Sequence, residues 1–264
     1  MPSTEMTRRA AATVSSSIVT RSALILEQVC STTTPPTFSQ LVASTGLPKS
    51  SVHRLLSILS GEDLIALDPR HQTYGPGSRL IGWAASILRA GDLPVLSTPA
   101  LEGLVEKTGA HACLSILDGT GVLYLKTVNA GIPFRLAPRV GERSPLHACA
   151  AGKALLAYLP AGQCEAILRA LSCERFTEHT LVTRQALEAA LRQVRTDGIA
   201  TCDREEFLQV VGISTAVFDA NGDPVAAVSL WDTTDRRDLD GLLRHRDAVL
   251  QAGAAISKRL GYMD

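Results

Sequence analysis

Val52, Leu55, Leu56 and Leu59 recur at i, i+3, i+4 and i+7, the apolar stripe of a helix packed on a core. Lys49, Ser50, His53, Arg54 and Ser57 fall largely off that stripe, so the opposite face is small, polar and basic. A Gly-centred turn at Gly46 separates this helix from a shorter one beginning near Phe38, which Thr37 or Ser39 can cap by satisfying an orphan N–H group. Upstream, Val19, Ala23, Leu24 and Leu26 supply the apolar face of a first helix. Downstream, 64–67 and 72–74 read as strands around the turn Asp68-Pro-Arg-His71, with Gly75 and Gly77 closing the unit. This order over residues 18–77 predicts a winged helix-turn-helix domain. In such a module the polar face of the second paired helix enters a DNA major groove. The candidate DNA contacts are Lys49, Ser50, Ser51, His53, Arg54 and Ser57, with Arg70 at the hairpin tip reaching backbone or minor groove. Arg54 has the chemistry to pair bidentately with guanine, and Ser51 either caps the helix or touches phosphate. The competing readings are an ordinary surface helix and an arginine kept for solubility.

The pattern then changes. Leu80, Ile81, Trp83, Ala84, Ile87 and Leu88 make a broadly apolar linker helix over 78–92, which either pairs with a symmetry mate or packs on its own C-terminal domain. Residues 93–264 read as a separate domain. Helices are expected over 96–108, 150–159, 161–171, 183–197 and 237–260, and strands over 111–117, 122–128, 199–202, 212–218 and 224–231, with 134–136 extended. Asp118-Gly-Thr-Gly121 and Asn221-Gly222 mark hairpin turns, and Gly198 marks a helix end. Leu242, Val249 and Ile256, spaced seven apart with Gly253 and Leu260 adjoining, give the last helix a narrow packing seam. The fold class is therefore α+β, with an antiparallel sheet flanked by helices behind the DNA-binding module.

Composition narrows the function less than the pattern does. The 264 residues are 45% hydrophobic, enough for two cores, and Lys+Arg and Asp+Glu balance at 26 each. With no net positive charge, any DNA contact must be local and is best doubled by dimerisation. No apolar run approaches the ~20 residues of a membrane helix. Residues 1–17 lack the apolar core of a secretory signal and read as a disordered leader of a cytoplasmic protein. The six cysteines, Cys30, Cys113, Cys149, Cys164, Cys173 and Cys202, show no C-x-x-C pairing and are expected to be reduced and buried.

Catalytic and cofactor chemistry finds little support. Ala151-Gly-Lys-Ala154 looks like part of a phosphate loop, but a Walker A needs glycine where His147 stands and Ser or Thr where Ala154 stands. His111-x-Cys113 and His147-x-Cys149 are pairs without a third ligand, so no metal is expected. Lys153 reads as a solvated helix residue, and Asp203, Glu205 and Glu206 as the solvated charges of a turn. No nucleophile has a neighbouring base, so no catalytic residues and no cofactor are assigned.

Ser144-Pro-Leu-His-Ala-Cys-Ala-Ala-Gly-Lys-Ala-Leu-Leu-Ala-Tyr-Leu159 resembles the effector-domain signature of IclR-type transcriptional regulators. Gly198-Ile-Ala-Thr-Cys-Asp-Arg-Glu205 and Ile213-Ser-Thr-Ala-Val-Phe-Asp219 are similar to that family as well, as is Ser51-Val-His-Arg-Leu-Leu56 in the helix-turn-helix. The resemblance spans about 18–260 in the family's order. It implies a GAF/profilin-like effector-binding domain, double-stranded operator DNA and a small-molecule effector as partners, and a homodimer or dimer of dimers.

The resemblance places the effector against Leu136, Ala150, Ala151, Cys202, Gly212, Ser229 and Trp231. The small residues of 148–152 open a helix and can offer N–H groups and the positive dipole end to a carboxylate. Three positions depart from the family pattern: Cys202 where an acidic or hydroxyl residue is usual, Gly212 where Cys, Ser or Ala is expected, and Trp231 where a small polar residue can stand. These changes predict an organic acid with a hydrophobic or aromatic body, unless Trp231 fills the cavity. Three rivals stay open: a redox sensor switching through Cys149 or Cys202, an enzyme with an appended winged helix, and a winged helix used only for protein contact.

Overall fold

Ser17 starts the first helix by accepting a hydrogen bond from the Thr20 N–H, and α1 runs Ile18–Ser31. The computed structural model describes residues 17–32, 34–83, 93–131 and 138–263. The leader over 1–16, the linker helix beyond 83 and the extended stretch 134–136 with Leu136 lie outside the described residues. The chain divides into two compact units, Met1–Gly91 and Asp92–Asp264.

In the first unit α2 spans Phe38–Thr45 and α3 spans Lys49–Gly61. Thr37 caps α2 through a capping box: its hydroxyl accepts from the Gln40 N–H, and Gln40 Oε1 accepts from the Thr37 N–H at 2.8 Å. Gly46, at φ 67°, takes the left-handed conformation that turns the chain into α3. Val52, Leu55, Leu56 and Leu59 pack with Ile25, Val29, Leu41 and Ile65 in one core. The expected face of α1 is corrected here. Ile25 and Val29, one turn apart, meet this core, whereas Val19, Ala23 and Leu24 are exposed and Leu26 is half-buried.

Strands β1 (Ile65–Asp68) and β2 (Thr73–Pro76) form the antiparallel wing, with Leu67 opposite Tyr74. Asp68 Oδ1 accepts from the Arg70 and His71 N–H groups at 2.8 and 3.2 Å, which fixes the turn. The Tyr74 N–H donates to the Pro36 carbonyl and ties the wing to the start of α2. At Gly77 a Cβ would sit 2.0 Å from the Asp63 carbonyl oxygen, so the chain passes there only without a side chain. A further helix, α4, begins at residue 78 and is described to residue 83.

The second unit opens with α5 (Leu93–Thr108), three residues earlier than its periodicity suggested. Six antiparallel strands follow the order β5-β4-β3-β8-β7-β6: β3 His111–Asp118, β4 Gly121–Val128, β5 Arg143–Pro145, β6 Ala200–Asp203, β7 Val210–Phe218 and β8 Pro224–Thr233. Strand alternation gives the sheet two apolar faces. Ala112, Leu114, Ile213 and Leu230 share one core with α5 and with α9 (Leu239–Leu243) and α10 (Arg246–Arg259). Cys113, Tyr124, Ala227 and Trp231 share the other with α6 (Ala150–Tyr158), α7 (Ala161–Ala170) and α8 (Arg184–Asp197).

The last helix is two pieces rather than one. Asp238 caps a short α9 through the Gly241 N–H, and His245, at φ −100° and ψ 9°, separates it from α10. Leu242, Val249 and Ile256 remain buried across the break.

Candidate functional site

Two surfaces carry the candidate residues, one in each unit. On α3, burial of the Val52–Leu59 stripe leaves Lys49, Ser50, His53, Arg54 and Ser57 exposed on the other side. Ser51 is half-buried in the first turn, and Pro48 occupies the cap position without a side-chain bond, so Ser51 does not cap this helix. The edge of the Phe38 ring faces the His53 ring at 6.3 Å between centroids. Arg70 stands exposed in the wing turn. Beside it the His71 ring lies 2.7 Å from the Asp68 carboxylate. That bond and the two backbone N–H groups hold Asp68 below the usual carboxylate range.

In the second unit a cavity of about 250 Å³ opens between the sheet and the start of α6. Ala150, Ala151, Cys202, Gly212, Ser229 and Trp231 all line it. The register explains the convergence. Cys202, Gly212, Trp231 and His111 lie in one row across β6, β7, β8 and β3, and Ser214, Ser229 and Cys113 lie in the next row on the same face. A Cβ on Gly212 would make only ordinary 3.6 Å contacts, so the sheet tolerates a side chain there and its absence leaves room in the cavity. Trp231 forms a wall, its indole stacked on the His111 ring at 4.3 Å, and does not fill the space. Burial lowers the pKa of His111, against the pull of Asp232, which favours a neutral ring.

The helix that faces this cavity starts under tight control. Cys149 caps it, its sulfur accepting from the Gly152 N–H at 3.3 Å, and Cys202 Sγ donates to the Ala148 carbonyl at 3.3 Å. A Cβ at Gly152 would lie 2.2 Å from the Leu146 oxygen, so this glycine serves the packing of loop on helix. Burial pushes the Cys113 thiol up to about 12, the Cys202 thiol up to about 11 and the Cys149 thiol well above its ordinary value. Thiols so held are poor nucleophiles at neutral pH.

The charges around the site correct the sequence reading. Lys153 is buried, not solvated, and its ammonium lies 2.6 Å from both oxygens of Glu205, itself 6% exposed. Glu206 is half-buried and lines the cavity with Tyr124, Ser144, Glu142 and Arg143. Tyr124, Glu142 and Arg143 carry no local signal that marks them as cavity residues. Asp203, Glu205 and Glu206 look alike in sequence as the charges of one turn, and nothing local marks the last two as turning inward. His147 sits in a turn, its Nε2 2.8 Å from the Glu174 carbonyl. Among the described residues no three His, Cys, Asp or Glu side chains group as a metal site. No helix among the described residues is long and apolar enough to cross a membrane.

Comparison with known proteins agrees with both units. Residues 18–69 match the IclR helix-turn-helix domain, and residues 85–258 match the C-terminal domain of bacterial IclR transcriptional regulators. The chain belongs to the IclR family of DNA-binding transcriptional regulators. It is 33% identical over 217 residues to the HTH-type transcriptional regulator XynR of Escherichia coli, covering 82% of this chain and 86% of that one. To the transcriptional repressor IclR of Escherichia coli it is 26% identical over 249 residues, 93% of this chain and 90% of the repressor. Among solved structures, an IclR homologue from Microbacterium hydrocarbonoxydans complexed with 4-hydroxybenzoate shares the fold. The TM-score is 0.79 at 22% identity, over 92% of this chain and 99% of that one.

Proposed function

We propose that this regulator binds operator DNA through Lys49, Ser50, Ser51, His53, Arg54 and Ser57, with Arg70 on flanking backbone, and that an organic acid with an aromatic or hydrophobic body controls it. The observation that carries the effector reading is the cavity itself. Trp231, Cys113, Cys202 and Val210 give it apolar walls, while Ala150 and Ala151 in the first turn of α6 also line it. The N–H groups of a first helical turn have no partner within the helix and suit a carboxylate. A family member that holds 4-hydroxybenzoate on the same fold favours a single-ring acid. The protein acts as a homodimer or dimer of dimers in the cytoplasm, matching two-fold half-sites. No catalytic step is assigned to it.

Isothermal titration of the full chain with benzoate, 4-hydroxybenzoate and pyruvate tests the effector class. Aromatic acids bind in preference to pyruvate. Preference for pyruvate-sized acids contradicts the reading.

A further inference from the structure

Glu206 sits in the loop between β6 and β7, half-buried, and lines the cavity. Titratable and hydroxyl-bearing residues from several elements line the same cavity. Tyr124 stands on β4, Cys113 on β3, Cys202 on β6 and Cys149 at the start of α6, while Glu142 precedes β5 and Arg143 and Ser144 lie on it. The Tyr124 hydroxyl donates to Ser144 Oγ at 3.0 Å, which leaves the Ser144 hydrogen for the Glu206 carboxylate. Among the described residues, Arg143 of the cavity lining pairs with Asp118, and Lys153 at the start of α6 pairs with Glu205. Glu206 also exerts the largest charge effect on the Cys149 thiol, which caps α6. Glu206 and the helix start at Cys149, Ala150 and Ala151 thus line the same cavity. Burial pushes this carboxyl up to about 7, and the bond from Ser144 opposes the rise.

Resting on the effector reading above, we propose that Glu206, as the neutral acid, donates a hydrogen bond to the effector carboxylate at the start of α6, so that binding takes up a proton. Two carboxyl groups in one desolvated cavity do not both ionise near neutral pH; they share a proton. The class of ligand selected is a monoanionic carboxylic acid. A second negative charge is repelled, and a cationic amine would instead keep Glu206 ionised.

Titration calorimetry of the full chain with benzoate and 4-hydroxybenzoate, in buffers of different ionisation enthalpy, counts the protons. At pH 8 about one proton enters per acid bound, at pH 5.5 close to none, and affinity falls about tenfold for each pH unit above 7. Glu206→Gln, whose amide donates at every pH, binds with an affinity that no longer changes between pH 6 and 8.5. Acid binding with no proton uptake at pH 8 overturns this inference and leaves the effector reading standing. No acid binding at any pH, or binding of benzylamine with proton release, overturns both. A ligand-free control uses the carboxyl ¹³C resonance of Glu206, assigned by its loss in Glu206→Gln. A midpoint near 7 is expected, and one near 4.5 overturns the inference whatever binds.

Discussion

The Lys153 ammonium and the Glu205 carboxylate meet at 2.6 Å with both side chains buried, joining the first turn of α6 to the loop between β6 and β7. That loop is held from a second side, where the Thr177 and Thr180 hydroxyls donate to the Arg204 and Glu205 carbonyls at 2.7 Å. The cavity wall that carries Glu206 is thus anchored on two sides. Lys153→Met leaves a buried carboxylate unpaired and costs about 3–5 kcal/mol, read by thermal or urea unfolding. Lys153→Met combined with Glu205→Leu recovers most of that loss, because removing both charges also removes their desolvation cost. Equal losses in the single and double variants would show that shape rather than charge pairing matters there.

Glu206 makes stability depend on pH. Its carboxyl titrates near 7 in the folded protein and near 4.5 in the unfolded chain, so the folded state holds more protons between those values. Stability contributed by this group is present below pH 4.5 and is lost as pH rises through 7, by on the order of 2–3 kcal/mol. Glu206→Gln escapes that loss. Its melting temperature exceeds that of the wild type at pH 8 and converges with it at pH 4.5; parallel curves at both values would contradict the burial argument.

The cavity thiols resist oxidation. With Cys202 near 11 and Cys113 near 12, the thiolate fraction at pH 7 is about one part in ten thousand or less. Mild peroxide therefore modifies exposed Cys30 before Cys149 or Cys202, and operator affinity is unchanged. Mass spectrometry of the treated protein beside a shift assay checks this. Modification of Cys202 together with loss of DNA binding would restore the redox reading.

Arg54 is exposed on the free face of α3, away from the Val52–Leu59 core. Arg54→Ala weakens operator binding by about 1–3 kcal/mol and relaxes base preference at one position per half-site, with unfolding unchanged. A quantitative shift assay on an operator series reports both effects.

Local signals carried most of the architecture. The α3 stripe, the cap at Thr37, the left-handed glycines at Gly46 and Gly198 and the Asn221-Gly222 turn each act over a few residues. What escaped was nonlocal or too short to have a period. The face of α1 depends on where Leu41 and Val52 sit, and β5 is three residues long. Lys153 and Glu205 are 52 residues apart in sequence, so nothing near either announces that they neutralise each other. A comparably long stretch of chain separates the donor, Ser144, from the Glu206 carboxylate, and Glu206 looked like a surface charge for that reason. The family resemblance supplied Ser229 and the row of Cys202, Gly212 and Trp231, while Tyr124, Glu142, Arg143 and Glu206 joined the cavity only through folding.

Footprinting of the DNA upstream of this protein's gene, with and without benzoate or 4-hydroxybenzoate, tests the whole account most directly. Two protected half-sites related by two-fold symmetry are expected, with a change in their protection when an aromatic acid is added. Absence of protection, or protection that no acid alters at pH 6 or pH 8, would contradict it.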